Sequence, residues 1–488
     1  MNRINIDLNR EIGSIDRNIF GGFAEHLERC IYGGIYDPTS PLADAQGLRT
    51  DVLEALRQLR MPVIRYPGGN FVSGYRWRDG VGPRDARPVR MDMAWHTIEP
   101  NQFGTDEFIE FCRAIHTEPY LVVNCGDGDM REARDWVEYC NGTQDTALVK
   151  LRRQHGYDAP HRVKYWGIGN EVDGPWQIGF KTPQEYARAA TEFGKVMKWV
   201  DPDIQLVVNG VTHWNAADFV ERGQLVLEQA GHLIDYLAVH WYVDNDTNDF
   251  GVYMALSELF EDRLSAYEGL IRAMKLERNI RRPLYIAVDE WNVWHRTQMD
   301  MGGHNAVVYT MEDALVVAMQ LNAFVRHAHM VKMANIAQIV NVIAPIVTRH
   351  DGLFLQTIFY AFETYSALAG PTALDVHWDG DTFSAGDHAS VRVLDVTATL
   401  DPARKELVLF VVNRSEHAAT DAVLTLTGGK FAGSTTIRTV NGPHAKSSNS
   451  FDDPDQVTAR VTSTEAAGTS LSTTFEPHSL TALVCAVE

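Results

Sequence analysis

Apolar and polar positions along the first three quarters of the chain follow two alternating periods. Short apolar runs bounded by turn residues recur, and segments with helical spacing lie between them, such as 182–200, which has Pro183 near its start, and 311–327. This alternation is typical of βαβ units, and eight such units close into a (β/α)8 TIM barrel, which has no edge strands. The predicted strands are 20–25, 63–67, 120–124, 163–168, 204–209, 236–240, 284–288 and 333–339.

The pattern changes after about residue 385, where short runs rich in Val and Thr are separated by turn residues. Runs of this kind predict an all-β sandwich, which we expect to be jelly-roll-like. The predicted strands of this part are 391–400, 406–413, 422–427, 435–440, 457–462 and 481–487. An N-terminal run at 3–8 precedes the barrel and is expected to add an edge strand to the sandwich.

These two patterns divide the chain into two domains, as expected for 488 residues. We predict an α/β barrel over 18–375 and a β-sandwich built from 1–17 and 376–488. An open, doubly wound sheet is the alternative architecture for the first domain. The chain contains no glycine-rich dinucleotide or phosphate-binding fingerprint that would favour that alternative.

The composition of the chain limits the classes of partner and the cellular location that we expect. A formal net charge of −20 disfavours nucleic acid and anionic membranes as partners. The five cysteines are scattered and form neither a disulfide framework nor a zinc-binding pair. The N-terminus lacks the apolar core of a signal peptide, and no run is long enough to span a bilayer. We therefore expect a cytoplasmic protein that binds neither nucleic acid nor membrane.

Two predicted strands end in a glutamate, and these two residues carry the functional prediction. The strand 163–168 leads into Asn170 and Glu171, and the strand 284–288 leads into Glu290. Catalytic residues of (β/α)8 barrels lie at the carboxyl ends of the strands, and glycoside hydrolysis needs two carboxyl groups. We predict Glu171 as the general acid/base, Glu290 as the nucleophile, and Asn170 as a ligand of a substrate hydroxyl. A glutamate that caps the next helix is the alternative for Glu171.

Three further residues at strand ends fit this interpretation. Arg65 lies within an apolar run and needs an acidic partner, for which Glu290 is the candidate and a structural ion pair elsewhere in the barrel the alternative. His240 and Tyr242 share one face of their strand and would reach the same mouth. Asp289 is expected to face a helix or loop, because neighbours on a strand point in opposite directions.

Neutral amides and a further carboxylate complete the predicted site, and with few cationic groups this set suits a polyol better than a phosphate. Glu25 ends the first strand, and Asn70 follows two glycines that permit close backbone approach; a plain turn is the alternative for these glycines. Gln338 lies on the last strand. Of the tryptophans in the predicted loops, we expect Trp95 and Trp294 to form subsite walls.

Taken together, these motifs resemble those of glycoside hydrolase family 51, the α-L-arabinofuranosidases of clan A. The matching segments span the barrel in order: Glu25-His26-Leu27, Tyr66-Pro67-Gly68-Gly69-Asn70-Phe71, Gly167-Ile168-Gly169-Asn170-Glu171, His240-Trp241-Tyr242, Asp289-Glu290-Trp291-Asn292, and 337–345. One position departs from the family pattern, since Glu28 stands where a glycine is expected.

The resemblance implies a retaining, exo-acting hydrolase that releases terminal α-L-arabinofuranosyl residues from arabinoxylan- or arabinan-derived oligosaccharides. Glu171 would be the acid/base and Glu290 the nucleophile, and the furanose would be bound by Glu25, Asn70, Asn170, Tyr242 and Gln338. The resemblance also implies a homo-oligomer, often a hexamer, and neither a metal nor another cofactor.

Two other functions are weighed against this one. Another clan A glycosidase, such as an endoglucanase, β-xylosidase or endoxylanase, would use the same two glutamates, but the Gly68-Gly69-Asn70 and Gln338 motifs argue against it. A non-catalytic carbohydrate-binding protein would not need both Glu171 and Glu290.

Overall fold

The first domain is a closed barrel of eight parallel strands. The computed structural model describes residues 2–213, 216–295 and 307–488. Each predicted strand of the barrel overlaps an observed one, so the (β/α)8 fold is confirmed and the open doubly wound sheet is excluded. The barrel strands are β2 (Gly21–Phe23), β3 (Val63–Tyr66), β6 (Glu118–Val123), β7 (Tyr165–Ile168), β8 (Gln205–Val211), β9 (Tyr236–Val243), β10 (Tyr285–Val293) and β11 (Val331–Ala337).

Helices cover the outside of the barrel, and their sequence signals mark their ends. The helix over 183–200 begins with a capping box between Thr182 and Glu185 and has Pro183 in its first turn, where a missing N–H costs nothing. The described helices are α1 (Thr50–Leu59), α2 (Thr105–Ala114), α3 (Met130–Asn141), α4 (Ala147–Gln154), α5 (Pro183–Val200), α6 (Phe219–Ala230), α7 (Phe250–Met254), α8 (Leu256–Glu277), α9 (Met311–Arg326) and α10 (Thr357–Leu368). Short two-stranded hairpins decorate the loops: β4 (Arg90–Asp92) with β5 (Thr97–Glu99), β12 (Ile346–Arg349) with β13 (Gly352–Leu355), and β15 (Thr382–Ala385) with β16 (His388–Arg392).

The second domain is built on nine strands that enclose one apolar core, as predicted for a β-sandwich. The strands are β1 (Asn2–Ser14), β14 (Thr372–Asp379), β17 (Leu394–Asp401), β18 (Glu406–Asn413), β19 (Thr420–Thr427), β20 (Phe431–Asn441), β21 (Thr458–Gly468), β22 (Ser470–Phe475) and β23 (Ser479–Val487). Their order is β21-β20-β23-β18-β17-β14-β1-β19-β22. The N-terminal strand β1 joins this sheet, but it pairs with β14 on one side and β19 on the other, so it is an inner strand and not the expected edge.

Strand β18 shows how the two domains pack together. Its side chains alternate, so Leu409 and Val411 enter the sandwich core while Val408 and Phe410 face the barrel. The ring of Phe410 stacks on that of Tyr365 in α10, with centroids 4.2 Å apart. A strand that is apolar on both faces therefore joins two cores, which explains why its run of hydrophobic residues is nearly continuous.

A buried ion cluster lies at the same boundary between the domains. Arg326, at the end of α9, donates to Asp395 of β17 at 2.6 Å and to Glu261 of α8 at 2.7 Å. Asn322 donates to the same Asp395 oxygen at 3.0 Å. Because the Asp395 side chain is only 3% exposed, the arginine is the main compensation for its charge.

Replacing Arg326 by Met should lower the free energy of unfolding by about 3–5 kcal/mol, because Asp395 loses its hydrogen-bonded cation and keeps only Arg414, 3.8 Å away. Chemical denaturation would measure the change. The matched control is Arg404→Met, since Arg404 is 74% exposed and pairs with Asp401 at the surface; this change should cost less than about 1 kcal/mol. Equal losses in the two variants would show that the cluster does not stabilise the domain boundary.

Candidate active site

A β-bulge in β10 brings two adjacent carboxylates into the barrel. Against β9, Ala287 pairs with Ala238 and Glu290 pairs with His240, so β10 contains one residue more than its neighbour over this stretch. The register against β11 shifts in the same place. The extra residue breaks the alternation of the strand. Asp289 and Glu290 therefore both point inward, and the expectation that Asp289 faces a helix or loop is wrong.

Glu290 lies at the centre of the site and is held at both oxygens. Arg65 of β3 donates to its Oε2 at 2.8 Å, and Tyr242 donates to its Oε1 at 2.7 Å. The same guanidinium donates to Oδ1 of Asn170 at 2.6 Å. Arg65 is fully buried, so its acidic partner is the one expected from the sequence. These donors keep Glu290 oriented.

Glu171 faces Glu290 from the end of β7. Its Oε1 lies 3.0 Å from Nδ1 of His240, and its Oε2 accepts from Nε1 of Trp176 at 3.2 Å. One oxygen of Glu171 lies within 4.8 Å of one oxygen of Glu290. The next helix is capped by Thr182, and Glu171 itself has a φ of +44°, a left-handed conformation that costs a non-glycine residue about 1–2 kcal/mol. The alternative of a helix-capping glutamate is therefore excluded.

Asp289 and His240 form a second layer beneath the two glutamates. Asp289 accepts from Tyr120 at 2.8 Å and lies 3.4 Å from both Nε of Arg65 and Nε2 of His240. Nδ1 of His240 also lies 3.4 Å from Glu290. The side chains of Asp289 and His240 are 3% and 1% exposed. Sequence reasoning missed Tyr120, whose strand position inside the barrel was the available signal.

Glu25 is held in the pocket by three hydrogen-bond donors. Its Oε1 accepts from the backbone N–H of Phe71 at 3.1 Å and from Nε1 of Trp95 at 3.0 Å. Gln338 donates to its Oε2 at 3.2 Å. A Cβ on Gly68 would come within 2.6 Å of Cγ of Glu25, so the loop after β3 needs a glycine there to admit this carboxylate. The plain-turn interpretation of these glycines does not account for that contact.

The remaining predicted residues also lie at this end of the barrel. Asn70 accepts a hydrogen bond from Gln177, whose own Oε1 accepts from Ser73 at 2.8 Å. The ring of Trp294 packs edge-on against Tyr242, with centroids 5.3 Å apart. Two residues near Glu171 were not singled out from the sequence as site residues. Gln177 positions Asn70, and Trp176 is 50% exposed beside Glu171.

Several buried polar atoms of the site make no hydrogen bond within the described residues. Two of them belong to the neutral amides of Asn170 and Gln338, and others lie on Arg65, His240 and Asp289. Nδ2 of Asn170 points away from Arg65, since Arg65 binds the opposite end of that amide. Oε1 of Gln338 is left over in the same way, because its Nε2 binds Glu25. A buried polar group without a partner costs about 1–3 kcal/mol, so a donor and an acceptor are held ready for a ligand that has hydroxyl groups.

Distance alone would let Glu171, His240 and Glu290 surround a metal ion. However, Glu290 already accepts from Arg65 and Tyr242, and Nδ1 of His240 is engaged with Glu171. An ion at this position would displace these bonds and would meet the charge of the buried guanidinium. The donor set suits a hydrogen-bonded carboxylate pair better than a metal centre.

The pKa values of His240 and Glu171 shift in opposite directions. Burial disfavours the charged form of His240, but the charge of Glu290 and the interactions with Asp289 and Glu171 outweigh burial and raise the His240 pKa to about 10. Burial also opposes ionisation of Glu171, yet the bond and charge of His240 hold the Glu171 pKa below its ordinary value. A raised pKa for the general acid is the usual expectation, and the lowered Glu171 pKa does not meet it.

Glu28 lies in the loop that follows Glu25, and it is exposed. Its φ of +46° lies in the left-handed region, which glycine adopts without strain. The backbone conformation thus accounts for the glycine that the family pattern has at this position.

Comparisons with known proteins agree with this geometry. Residues 55–264 match the family described as "Alpha-L-arabinofuranosidase 1 domain", and residues 289–479 match "Alpha-L-arabinofuranosidase C-terminal domain". An "Intracellular exo-alpha-(1->5)-L-arabinofuranosidase" of Halalkalibacterium halodurans is 40% identical over 84% of this chain and 84% of its own. An "Alpha-L-arabinofuranosidase C" of Emericella nidulans is 40% identical over 98% of this chain and 96% of its own.

A solved structure extends the similarity to the whole fold. The crystal structure of an α-L-arabinofuranosidase from Thermotoga maritima, in an arabinose complex, has a TM-score of 0.91 and 37% sequence identity. It covers 99% of this chain and 99% of its own. The fold and the paired glutamates define a glycoside hydrolase of the (β/α)8 class. Within that class the chain belongs to family 51, the α-L-arabinofuranosidases.

The contacts of Glu25 predict a pH-dependent stability. Burial and the charge of Glu290 raise the Glu25 pKa to about 8, against the bonds from Phe71 and Trp95 that lower it. The native state therefore binds more protons than the unfolded state between about pH 4.5 and 8, and this contribution to stability is lost as the pH rises through that window.

Glu25→Gln removes that titration, so the variant should gain stability relative to the parent as the pH rises, by about 1.4 kcal/mol per unit of pKa shift. Melting temperatures recorded across this pH window would measure the difference between the two proteins. Glu110→Gln, which changes an exposed carboxylate on α2, is the control and should follow the parent curve. If the Glu25→Gln curve also runs parallel to the parent, Glu25 does not titrate in this range.

Proposed function

We propose that this protein is a retaining, exo-acting hydrolase that releases terminal α-L-arabinofuranosyl residues by a double displacement. The observation that carries the proposal is the separation of the two glutamates, whose nearest oxygens lie within 4.8 Å. Retaining glycosidases hold their carboxyl groups about 5–5.5 Å apart, whereas inverting enzymes leave room for a water molecule between them.

Glu290 is the nucleophile in this proposal. Arg65 and Tyr242 fix its two oxygens, so one of them attacks the anomeric carbon as the bond to the leaving oxygen breaks. Glu171 gives a proton to that oxygen, and a glycosyl ester forms on Glu290. In the second step Glu171 takes a proton from water, the water oxygen bonds to the anomeric carbon, and the ester bond breaks to restore Glu290.

The polar wall of the pocket suits a single terminal furanose. Glu25 and Asn70 present oxygens, and the unpaired atoms of Asn170 and Gln338 supply one donor and one acceptor. Trp95 and Trp294 wall the pocket, and the half-exposed Trp176 beside Glu171 lies on the side where the leaving group departs. A site built from buried hydrogen-bonding groups rejects analogues that leave them unpaired, by factors of about 10⁴ or more.

The relatives suggest where such an enzyme acts. Two relatives, from Halalkalibacterium halodurans and Bacillus subtilis, are named intracellular exo-acting arabinofuranosidases with α-(1→5) specificity. We accordingly propose oligosaccharides derived from arabinan or arabinoxylan as substrates and the cytoplasm as the location. None of the described helices is long and apolar enough to cross a membrane. We also propose a homo-oligomer, with a hexamer as the first candidate, which light scattering would test.

Variants of the two glutamates should separate their roles. Glu290→Ala should lose several orders of magnitude in kcat on every substrate, because no ester can form. Glu171→Ala should keep fast ester formation when the leaving group needs no proton, and added azide should raise its turnover and yield an α-configured glycosyl azide, because azide inverts the β-linked ester. Rates and products are measured with 4-nitrophenyl and 2,4-dinitrophenyl α-L-arabinofuranosides. Rescue of Glu290→Ala by azide with a retained product would reverse the assignment.

A substrate panel tests the exo-action. The protein should hydrolyse 4-nitrophenyl α-L-arabinofuranoside with an α-configured first product, observed by proton NMR, and should release only arabinose from arabino-oligosaccharides. 4-Nitrophenyl β-D-xylopyranoside is the control substrate, on which activity should be weak. Internal cleavage of xylan or cellulose without hydrolysis of the arabinofuranoside would contradict the proposal and indicate an open cleft.

A further inference from the structure

His240 is placed to hold a proton between the two catalytic glutamates. Its Nδ1 lies 3.0 Å from Glu171 and 3.4 Å from Glu290, and its Nε2 lies 3.4 Å from Asp289. Nδ1 is hydrogen-bonded to Glu171, whereas Nε2 and Oδ1 of Asp289 make no hydrogen bond with each other at 3.4 Å. Asp289 therefore acts on the ring through its charge, which favours the imidazolium over the neutral imidazole.

The charges around His240 favour the imidazolium. Three carboxylates surround the ring, from Glu171, Glu290 and Asp289, and Arg65 is the cation that shares two of them. The other titratable groups that face these carboxylates are Tyr120 on Asp289, Tyr242 on Glu290, Glu25 beyond Glu290 and His213 near Glu171. One arginine does not balance three buried carboxylates, and a second cation at His240 reduces the excess negative charge.

We propose that Asp289 is a positioning residue that keeps His240 as an imidazolium, and that this imidazolium stores the proton that Glu171 delivers to the leaving group. The inference rests on the proposed function of the two glutamates. It adds that Asp289 and His240 help to provide the proton that Glu171 gives to the leaving group. The bulge in β10 makes this arrangement possible, because without it Asp289 would point out of the barrel.

The proton balance of this scheme closes over one cycle. The free site holds His240 protonated, with Glu171 and Glu290 ionised. During ester formation the Nδ1 proton passes to Glu171, the leaving oxygen takes a proton from Glu171, and Glu290 becomes a neutral ester, so the net charge is unchanged. During ester hydrolysis Glu171 removes a proton from the attacking water, Glu290 regains its charge, and the proton returns to Nδ1.

Electrostatics couple the two events in time. Burial lowers the pKa of His240. Among the interactions that raise this pKa, the charge of Glu290 is the largest. When Glu290 becomes an ester it loses its negative charge, so the pKa of His240 falls and the imidazolium becomes more acidic. The proton is therefore released to Glu171 as the leaving group needs it.

Asp289→Asn tests the role of the buried carboxylate with little change of shape. The variant should shift the alkaline limb of kcat/KM to lower pH by about one unit, because one opposite charge near His240 is removed. The loss should be about tenfold for methyl α-L-arabinofuranoside, whose leaving group needs a proton, and less than about threefold for the 2,4-dinitrophenyl glycoside, which does not. An unmoved limb, or equal losses on both substrates, would overturn the inference.

A second buried triad provides the matched control. Asp106 accepts from Tyr139 at 2.8 Å and from Nε2 of His161 at 3.0 Å, on the outside of the barrel. Asp106→Asn should leave the pH profile unchanged, whatever it does to stability. A parent enzyme without arabinofuranosidase activity would refute the proposed function itself, so the two failures are distinguishable.

Direct observation of the ring keeps the inference testable if Asp289→Asn does not fold. In protein labelled with ¹⁵N-histidine, the His240 signals are identified by their absence from His240→Gln. They should be those of an imidazolium at about pH 7.5, where an ordinary histidine is mostly neutral. They should become neutral when a 2-deoxy-2-fluoro-arabinofuranosyl donor traps the ester on Glu290. A neutral ring in the free enzyme, or an imidazolium in the ester, would overturn the inference.

Discussion

The guanidinium of Arg65 is the interaction on which the rest of the site depends. It is fully buried inside the barrel and reaches Glu290, Asn170 and Asp289 from one side chain. Three strands and their ends are thereby fixed relative to one another. Removing one partner from such a buried cluster costs about 3–5 kcal/mol, because the remaining charges lose their compensation. The barrel tolerates this charged centre because each ion in it has an opposite charge or a hydrogen-bond donor within reach.

The cluster also shows how one short sequence segment serves two purposes. The bulge in β10 turns both Asp289 and Glu290 inward, so Glu290 faces the pocket while Asp289 lies one layer deeper. The deeper carboxylate binds Tyr120 and lies beside His240, and the shallower one meets the substrate. A regular strand would have sent one of these two carboxylates to the helical layer. The bulge interrupts the regular pairing of β10, and in return it brings both carboxylates into the site.

The second domain contributes by packing. Strand β18 is apolar on both faces because it lies between the sandwich core and the helices of the barrel. The stack of Phe410 on Tyr365 and the Arg326 cluster join the domains far from the polar pocket. The packing between the domains therefore stabilises the protein without restricting the polar site. The site itself contains unpaired buried atoms and strained backbone, which are destabilising.

The sequence by itself determined the barrel, the sandwich and the two glutamates, since strand periodicity and position at a strand end are local properties. It also pointed to Arg65, because an arginine in an apolar run needs an acid. The tertiary structure alone decided the direction of Asp289, the inner position of β1 and the lowered pKa of Glu171. The first depends on the register against two neighbouring strands, the second on pairing across more than 350 residues, and the third mainly on the bond and charge of His240, which lies on another strand; none of these is encoded locally.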